Sequence, residues 1–189
     1  MATKSPEYKV IIVGDSSVGK SSIVNRYHRN SFCSEYQSTV GASFVTRTIQ
    51  TQSGKVNINI WDTAGQEKYR SLVPMYSRNA SSAIIVFDLS LPNGFESVKD
   101  WYSSVKTSVP EECKIVVAGN KSDLPIAIET DKAFAWVNEN KLQMTFVSAK
   151  TGDGIEQLFQ AVVEMIPRTR EKSVIEMVPE TKENQKACC

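Results

Sequence analysis

The chain contains 189 residues, which is enough for one α/β domain with a complete hydrophobic core and a tail. Its 22 basic and 21 acidic residues leave a net charge of +1, and this balance argues against nucleic acid as a partner. No apolar stretch reaches the length of a membrane span, and residues 1–7 lack the apolar core of a signal peptide, so we expect a flexible N-terminus on a cytoplasmic protein.

The first predicted element is a strand followed by a glycine loop and a helix. Residues 8–13 form an apolar run of strand length, and residues 22–32 are compatible with a helix. Between them the sequence fits G-x-x-x-x-G-K-[ST], the pattern of a loop that cradles phosphates. In such a loop Lys20 reaches the β- and γ-phosphates and the Ser21 hydroxyl binds Mg²⁺. An ordinary glycine turn is the alternative, which the strand, the spacing and the Lys-Ser pair together disfavour.

A predicted β-hairpin and a second glycine loop follow. Residues 29–41 show no hydrophobic period and are predicted to form a loop. The β-rich runs at 42–52 and 55–61 flank Ser53-Gly54, which predicts a hairpin. Asp62 then stands at the end of a strand and opens the segment D-T-A-G-Q-E.

The second half of the chain alternates predicted helices with buried strands. Residues 67–80 are predicted to form an irregular helix that Pro74 interrupts. The apolar runs at 82–88 and 114–119 are typical of buried parallel strands, and a shorter strand is predicted at 143–147. Helical spacing of apolar residues recurs at 95–105, 130–140 and 155–166.

This alternation predicts an α/β fold. We expect a six-stranded, mostly parallel sheet with one antiparallel edge strand and helices on both faces. In such sheets, ligands bind at the carboxyl ends of the strands. Four polar motifs follow predicted strands and should share that rim: residues 14–21, 62–66, 120–123 and 148–150.

In their order and content the four motifs resemble those of a Ras-superfamily small GTPase of the Rab branch: G-D-S-S-V-G-K-S, W-D-T-A-G-Q-E, N-K-S-D and S-A-K. The resemblance covers residues 8–166 and the terminal Cys188-Cys189. It implies a P-loop NTPase fold in a GTPase domain over residues 8–167. It also implies a GTP/GDP switch that hydrolyses GTP to GDP and phosphate and recruits effectors to membranes in vesicle traffic.

The switch motifs also carry a subgroup resemblance. T-V-G-A-S-F at 39–44 and S-L-V-P-M-Y at 71–76 look like the early-endosomal Rab subgroup, which implies early endosomes or endocytic vesicles as the membrane. Y-S-R-N-A at 76–80 departs from the commoner Y-Y-R-G-A, and a Rab of another compartment stays open as the alternative.

The resemblance implies a set of residues that bind the nucleotide. Asp123 would accept hydrogen bonds from both N1–H and the 2-amino group of guanine, a donor pair that adenine lacks. Lys121 would lie along the base, Asn120 would tie this loop to the phosphate loop, and Ala149 would donate its N–H to the guanine O6. The complete implied set is Ser16, Ser17, Val18, Gly19, Lys20, Ser21, Ser22, Phe32, Thr39, Gly65, Asn120, Lys121, Asp123, Ser148, Ala149 and Lys150, with Phe32 covering the base.

A metal site and a catalytic residue are implied in the same way. The Ser21 and Thr39 hydroxyls and, through water, Asp62 would hold Mg²⁺. The Gly65 N–H would contact the γ-phosphate, and Gln66 would orient the attacking water. Because no arginine of the chain can be assigned to the transition-state charge, slow intrinsic hydrolysis and an activating protein that supplies an arginine are expected.

Further partners follow from the resemblance. Phe44, Trp61 and Tyr76 resemble the aromatic surface that Rab proteins show to effectors; the alternative is that Phe44 and Trp61 are ordinary strand aromatics. Cys188 and Cys189 match the pattern for two geranylgeranyl groups, which would anchor a disordered tail, residues 168–189, to a membrane. A monomer is expected, with these partners: an exchange factor, an activating protein, a lipid-binding GDP-dissociation inhibitor, a prenylation escort and GTP-state effectors.

Three other classes compete with this interpretation. A nucleotide kinase needs a second substrate site and an arginine-rich lid, for which the chain has no room. A pseudo-GTPase that binds nucleotide without turnover is disfavoured by the presence of Lys20, Thr39 and Gln66. The paired terminal cysteines disfavour a Rho-like regulator, and Ala2 in place of the glycine needed for N-myristoylation disfavours an Arf-like one.

Overall fold

Strands and helices alternate along the chain in the computed structural model, which describes residues 5–33, 42–51, 54–63 and 72–167. The strands are β1 (Glu7–Val13), β2 (Ala42–Thr51), β3 (Gly54–Thr63), β4 (Ser82–Asp88), β5 (Lys114–Asn120) and β6 (Gln143–Phe146). The helices are α1 (Lys20–Arg29), α2 (Val73–Ser77), α3 (Glu96–Lys106), α4 (Thr130–Glu139) and α5 (Ile155–Met165).

The strands form one sheet in the order β2-β3-β1-β4-β5-β6. β1 runs parallel to β3 and β4, β4 to β5, and β5 to β6, whereas β2 pairs antiparallel with β3. β4 is buried along its whole length, as its continuous apolar sequence predicts. The predicted six-stranded sheet with one antiparallel edge strand is therefore confirmed.

Each face of the sheet packs a hydrophobic core against helices. On one face α1 and α5 meet, and the rings of Tyr27 and Phe159 stack with their centroids 3.8 Å apart. On the other face α3 and α4 cover the sheet, where Trp101 is fully buried and Phe95 packs edge-on against Phe87 with centroids 5.3 Å apart. Helices on both faces were predicted, because parallel strands joined by helical crossovers are covered on both sides.

Two helices differ from their predicted bounds. The described part of the 67–80 helix is α2, and Pro74 lies in its first turn. A proline near a helix start removes an N–H that has no partner within the helix, and because residues 67–71 lie outside the described residues, the interruption at Pro74 stays a prediction. α1 ends three residues before the predicted Phe32, because Asn30 adopts a left-handed backbone (φ 50) and its N–H bonds back to the Arg26 carbonyl.

The predicted ends of the chain lie mostly outside the described residues. Residues 1–4 and the predicted disordered tail, 168–189, belong to that part. β1 begins at Glu7, one residue before the predicted start of the domain, and the Pro6 carbonyl accepts a 2.8 Å hydrogen bond from the Asn57 N–H. Among the described helices, none has the length and apolar character needed to span a lipid bilayer.

Candidate functional site

The four sequence motifs follow the carboxyl ends of strands that run in one direction. Residues 14–21 follow β1, Asp62 lies near the end of β3, residues 120–123 begin at the end of β5, and residues 148–150 come two residues after β6. Because these strands are parallel, their ends share one rim of the sheet. The predicted convergence of the motifs on this rim is what the structure shows for their described parts.

The phosphate loop closes around the side chain of Lys20. Its ammonium is buried and donates to the carbonyl oxygens of Gly14 (2.9 Å) and Asp15 (2.7 Å). Gly14 has φ +144, and a Cβ there would lie 2.1 Å from the Val86 carbonyl oxygen, so a side chain would displace the loop from the sheet. α1 begins at Lys20, which adds the free N–H groups and the positive dipole end of a helix N-terminus. The loop is built to hold an anion.

The other predicted loop residues differ in exposure. Ser16 and Ser17 are exposed, and Ser17 has a positive φ of 64. Val18 is buried, and Ser22 is half-buried in the first turn of α1. Phe32, which was predicted to cover the base, follows α1 with 41% of its surface exposed.

Asn120 joins two of the four motifs. Its side-chain amide donates to the Val18 carbonyl (2.8 Å), and its Oδ1 accepts from the Ala149 N–H (3.1 Å). The side chain is buried, with 2% of the residue exposed, and a Cβ on Gly19 would lie 2.2 Å from the Asn120 Nδ2. Its bond to Val18 ties its own loop to the phosphate loop, as the sequence interpretation of Asn120 expected. Its bond to Ala149 also reaches the loop after β6, which that interpretation did not include. The Ala149 N–H that was predicted to reach the base bonds to Asn120 here.

Asp123 is oriented by the loop after β6. The Ser148 hydroxyl donates to Asp123 Oδ1 (2.7 Å), and the Lys150 ammonium lies 3.6 Å from Oδ2. The hydrogen bond from Ser148, supported by Lys150, holds the pKa of Asp123 below its ordinary value. Asp123 is therefore ionised at neutral pH and can accept two parallel hydrogen bonds, which is the requirement for reading guanine.

Lys121 is fixed by a residue that no motif identified, Asp88 at the end of β4. The Lys121 ammonium lies 2.5 Å from Asp88 Oδ2, and Asp88 Oδ1 accepts from the Ser90 N–H (2.9 Å) and hydroxyl (2.7 Å). Burial alone would raise the pKa of Asp88, but the hydrogen bonds from Lys121 and Ser90 outweigh it and the pKa is lowered. An aspartate that ends a buried apolar strand was the signal that could have indicated this position.

Two further residues support the site and were missed by the sequence interpretation. Arg26 of α1 donates to the carbonyl oxygens of Ala149 (2.9 Å) and Lys150 (2.6 Å). The Trp101 indole N–H of α3 donates to Asp15 Oδ1 in the phosphate loop (2.8 Å). The helical period indicated that Trp101 packs in the core, but it gave no sign of this polar contact.

Asp62 supplies the test of whether the site fits a metal ion. It is 4% exposed, and its Oδ1 is buried without a hydrogen-bond partner among the described residues. Burial raises the pKa of Asp62, against the opposing effects of the Ser21 hydrogen bond and the Lys20 charge. A buried, unsatisfied carboxylate oxygen beside a serine hydroxyl fits the all-oxygen ligands of Mg²⁺. Three predicted partners on this side, Thr39, Gly65 and Gln66, lie outside the described residues.

An aromatic cluster lies beside the hairpin. Ring centroids are 5.6 Å apart for Phe44 and Trp61 and 6.4 Å apart for Trp61 and Tyr76, and Phe44 is 56% exposed. The Lys9 ammonium lies 4.6 Å from the Trp61 ring centroid and donates to the Arg78 carbonyl (3.0 Å). The structure thus brings the three predicted effector residues together on a partly exposed surface.

The phosphate loop, the buried Asn120 amide that ties it to the loops after β5 and β6, and this sheet order are those of a P-loop protein of the small GTPase class. The model of the Ras family matches residues 9–168. The chain is 41% identical over 163 residues to the "GTP-binding protein ypt5" of Schizosaccharomyces pombe, covering 84% of this chain and 77% of that protein. It is 37% identical over 167 residues to the "Ras-related protein RABA2a" of Arabidopsis thaliana, covering 87% and 77%.

The chain belongs to the Ras family of small GTPases and is of the Rab type. It is a GTPase, an enzyme that hydrolyses GTP. Proteins of this family bind GTP and GDP, generally with Mg²⁺. They act with exchange factors, activating proteins, GDP-dissociation inhibitors and effectors, and they cycle on membranes.

Proposed function

We propose that this GTPase is a membrane-tethered switch of endocytic traffic that acts on early endosomes. The observation that carries the nucleotide part is the buried Asn120 side chain. It bonds to Val18 in the phosphate loop and to Ala149 in the base loop, the name used below for residues 148–151 after β6. Support for the endosomal part comes from the sequences at 39–44 and 71–76, which look like the early-endosomal subgroup.

Guanine recognition falls to Asp123. Its two oxygens accept the N1–H and the 2-amino group, while Ser148 and Lys150 hold the carboxylate in place and keep it ionised. Adenine lacks this donor pair, so both hydrogen bonds from the base to Asp123 would be lost, which costs about 10⁴-fold in affinity. Lys121, held by Asp88, lies at the start of the same loop and flanks the base.

The phosphates bind at the other end of the rim. The loop at 14–21 and Lys20 hold the β- and γ-phosphates, and the Ser21 hydroxyl, Thr39 and Asp62 hold the metal site. When bound there, Mg²⁺ neutralises charge on the phosphate oxygens. Gln66 orients the water that attacks the γ-phosphate.

An arginine from an activating protein completes the catalytic site. Arg26, which contacts the loop after β6, already binds the carbonyl oxygens of Ala149 and Lys150. In a relative of this family, an arginine supplied by a partner accelerates hydrolysis about 10⁵-fold. We expect the same dependence here.

Effectors bind the GTP-bound form, and lipid groups at the C-terminus hold the protein on its membrane. The segments at about 29–44 and 64–78 order around the γ-phosphate and release on hydrolysis, which changes the aromatic surface of Phe44, Trp61 and Tyr76. Geranylgeranyl groups on Cys188 and Cys189 hold the protein on the membrane, because one lipid alone anchors only weakly. Both cysteines and most of the two segments lie outside the described residues.

Phosphate release from GTP tests the catalytic assignment. Wild-type protein should release phosphate slowly alone and much faster with the catalytic domain of a Rab-activating protein. Gln66→Leu should still bind GTP, but its stimulated rate should be about 10-fold or more below that of the wild type, because the attacking water is no longer oriented. A Gln66→Leu rate equal to that of the wild type would remove Gln66 from the mechanism.

Localisation tests the membrane and compartment assignments. N-terminally tagged Gln66→Leu should collect on early endosomes, whereas the same protein with Cys188→Ser and Cys189→Ser should stay diffuse. Collection on another organelle would contradict the endosomal assignment. Membrane association of the double cysteine variant would contradict the lipid anchor.

A further inference from the structure

Arg26 lies in none of the four motifs, yet it contacts the loop that follows β6. Its Nε donates to the Ala149 carbonyl (2.9 Å) and its Nη2 to the Lys150 carbonyl (2.6 Å). Its Nη1 donates to the Asn30 carbonyl (3.0 Å) at the end of α1. One guanidinium therefore connects the helix that starts at the phosphate loop with two consecutive carbonyls of the base loop.

These bonds fix the orientation of two peptide planes. In a trans peptide the C=O of one residue and the N–H of the next point in opposite directions. With the Lys150 carbonyl turned towards Arg26, the Thr151 N–H points away from α1, and it donates to the Ser148 hydroxyl oxygen (3.1 Å). That hydroxyl in turn donates to Asp123 Oδ1 (2.7 Å). A continuous series of contacts thus runs from Arg26 to the guanine-reading carboxylate.

The guanidinium is well placed to hold this geometry. Its hydrogen bonds to the two carbonyls are charge-assisted, and the planar fork of arginine loses little freedom for each bond formed. Its position on α1 is fixed by Asn30, whose side-chain oxygen also accepts from Nη1 (3.2 Å).

We propose that Arg26 is a positioning residue of the guanine site. It holds the loop at 148–151 so that Asp123 faces the base, and it thereby slows release of the nucleotide. This inference rests on the proposed function, since it acts through the assignment of Asp123 to guanine.

The test compares Arg26→Ala with a matched control, Arg47→Ala, in the full chain. Arg47 also donates to a carbonyl of α1, that of Tyr27, but its ion pair is with Glu156 of α5 (3.4 Å) rather than with the base loop. Dissociation of fluorescently labelled GDP is measured at saturating Mg²⁺. Arg26→Ala should release GDP about 10- to 100-fold faster than the wild type, and Arg47→Ala within about 3-fold of it.

A second ligand separates positioning from general loosening. Inosine diphosphate lacks the 2-amino group, so it makes one hydrogen bond fewer to Asp123. If Arg26 orients Asp123, the preference for GDP over inosine diphosphate should be several-fold smaller in Arg26→Ala than in the wild type. An unchanged preference, or GDP release as fast in Arg47→Ala as in Arg26→Ala, would overturn the proposal.

A conservative variant and the wild type complete the design. Arg26→Lys keeps the charge but not the planar fork, so it should give a dissociation rate between those of the wild type and Arg26→Ala. If Arg26→Ala does not fold by circular dichroism, the rate and the preference of Arg26→Lys decide by the same criteria. Failure of the wild type to bind GDP would instead contradict the proposed function itself.

Discussion

The base end and the metal end of the nucleotide rim differ in how their polar groups are satisfied. At the base end, Asn120, Asp123 and Asp88 are all bonded to other groups of the protein. At the metal end, Asp62 keeps one buried carboxylate oxygen that has no partner in the part of the chain that the structure describes.

This difference indicates that the two ends of the rim are prepared for their ligands in different ways. The base end is pre-organised by the protein itself, so under the proposed function guanine would meet groups that are already oriented, and little free energy would be lost in ordering them. The metal end leaves binding capacity for a cation, because a buried carboxylate oxygen without a partner is costly until something neutralises it.

Removing Asn120 should have the largest effect, because it breaks the base end. In Asn120→Ala the Val18 carbonyl and the Ala149 N–H lose their partner, and two buried hydrogen bonds of about 1–2 kcal/mol each predict about 30- to 10³-fold weaker GDP binding. Equilibrium titration with fluorescent GDP measures this.

Asn140→Ala is the matched control for Asn120→Ala. The Asn140 amide bonds to the Trp136 carbonyl at the end of α4, away from the four motifs, so GDP affinity should stay near that of the wild type. Equal affinities for the two variants would show that Asn120 does not hold the rim together.

Asp62→Asn tests the metal end, because its effect on stability should have opposite signs without and with Mg²⁺. Without Mg²⁺ the neutral amide lessens the cost of burying a carboxylate that only the Ser21 hydrogen bond and the Lys20 charge offset, and the free energy of unfolding should rise by about 1–2 kcal/mol. With Mg²⁺ and GDP the variant should unfold at a lower temperature than the wild type, because it lacks a metal-directed carboxylate. Thermal melts in chelator and in Mg²⁺–GDP measure both arms. A change of the same sign in both would contradict the metal assignment.

The smallest expected effect is a pH dependence at Asp88. The pKa of Asp88 is lowered below the ordinary value of an aspartate in the folded protein, so Asp88 binds a proton less readily there than in the unfolded chain. The stability it contributes is present above about pH 4 and is lost as pH falls through the folded pKa, on the order of 1 kcal/mol. Urea unfolding of wild type and Asp88→Asn between pH 3 and 7 measures this.

Asp131→Asn provides the control for Asp88→Asn, since Asp131 is exposed in the first turn of α4. It should keep the acid sensitivity of the wild type, whereas Asp88→Asn should lose part of it. If the free energy of unfolding depends on pH in the same way for the wild type and Asp88→Asn, the Lys121–Asp88 pair does not contribute to stability.

Sequence patterns were informative where the chemistry is local. The loop at 14–21 was predictable because the glycines, Lys20 and the flanking strand and helix are contiguous. The sheet was predictable because β4 and β5 are continuous apolar runs and the hairpin of β2 and β3 alternates. Pro74 shows the limit of such patterns, because a proline is compatible with either the start or the interruption of a helix, and local sequence does not distinguish them.

The missed residues act over long sequence separations. Arg26 contacts residues more than 120 positions away, and Trp101 contacts Asp15, 86 positions away. Arg26 on α1 looks like an ordinary surface residue of an amphipathic helix, and Trp101 on α3 looks like an ordinary core residue. Nothing in the sequence around either residue indicates a contact with the site.

The sequence by itself determined the class of the protein, the strand and helix order and the four motifs, because periodicity and glycine-loop patterns are properties of short contiguous segments. Only the tertiary structure decided which other side chains hold those motifs in place: Asp88 under Lys121, Arg26 on the loop after β6 and Trp101 on the phosphate loop. The physical reason is that a hydrogen bond requires two groups within about 3 Å, and the packing of α1 and α3 on the sheet brings together groups that the sequence separates.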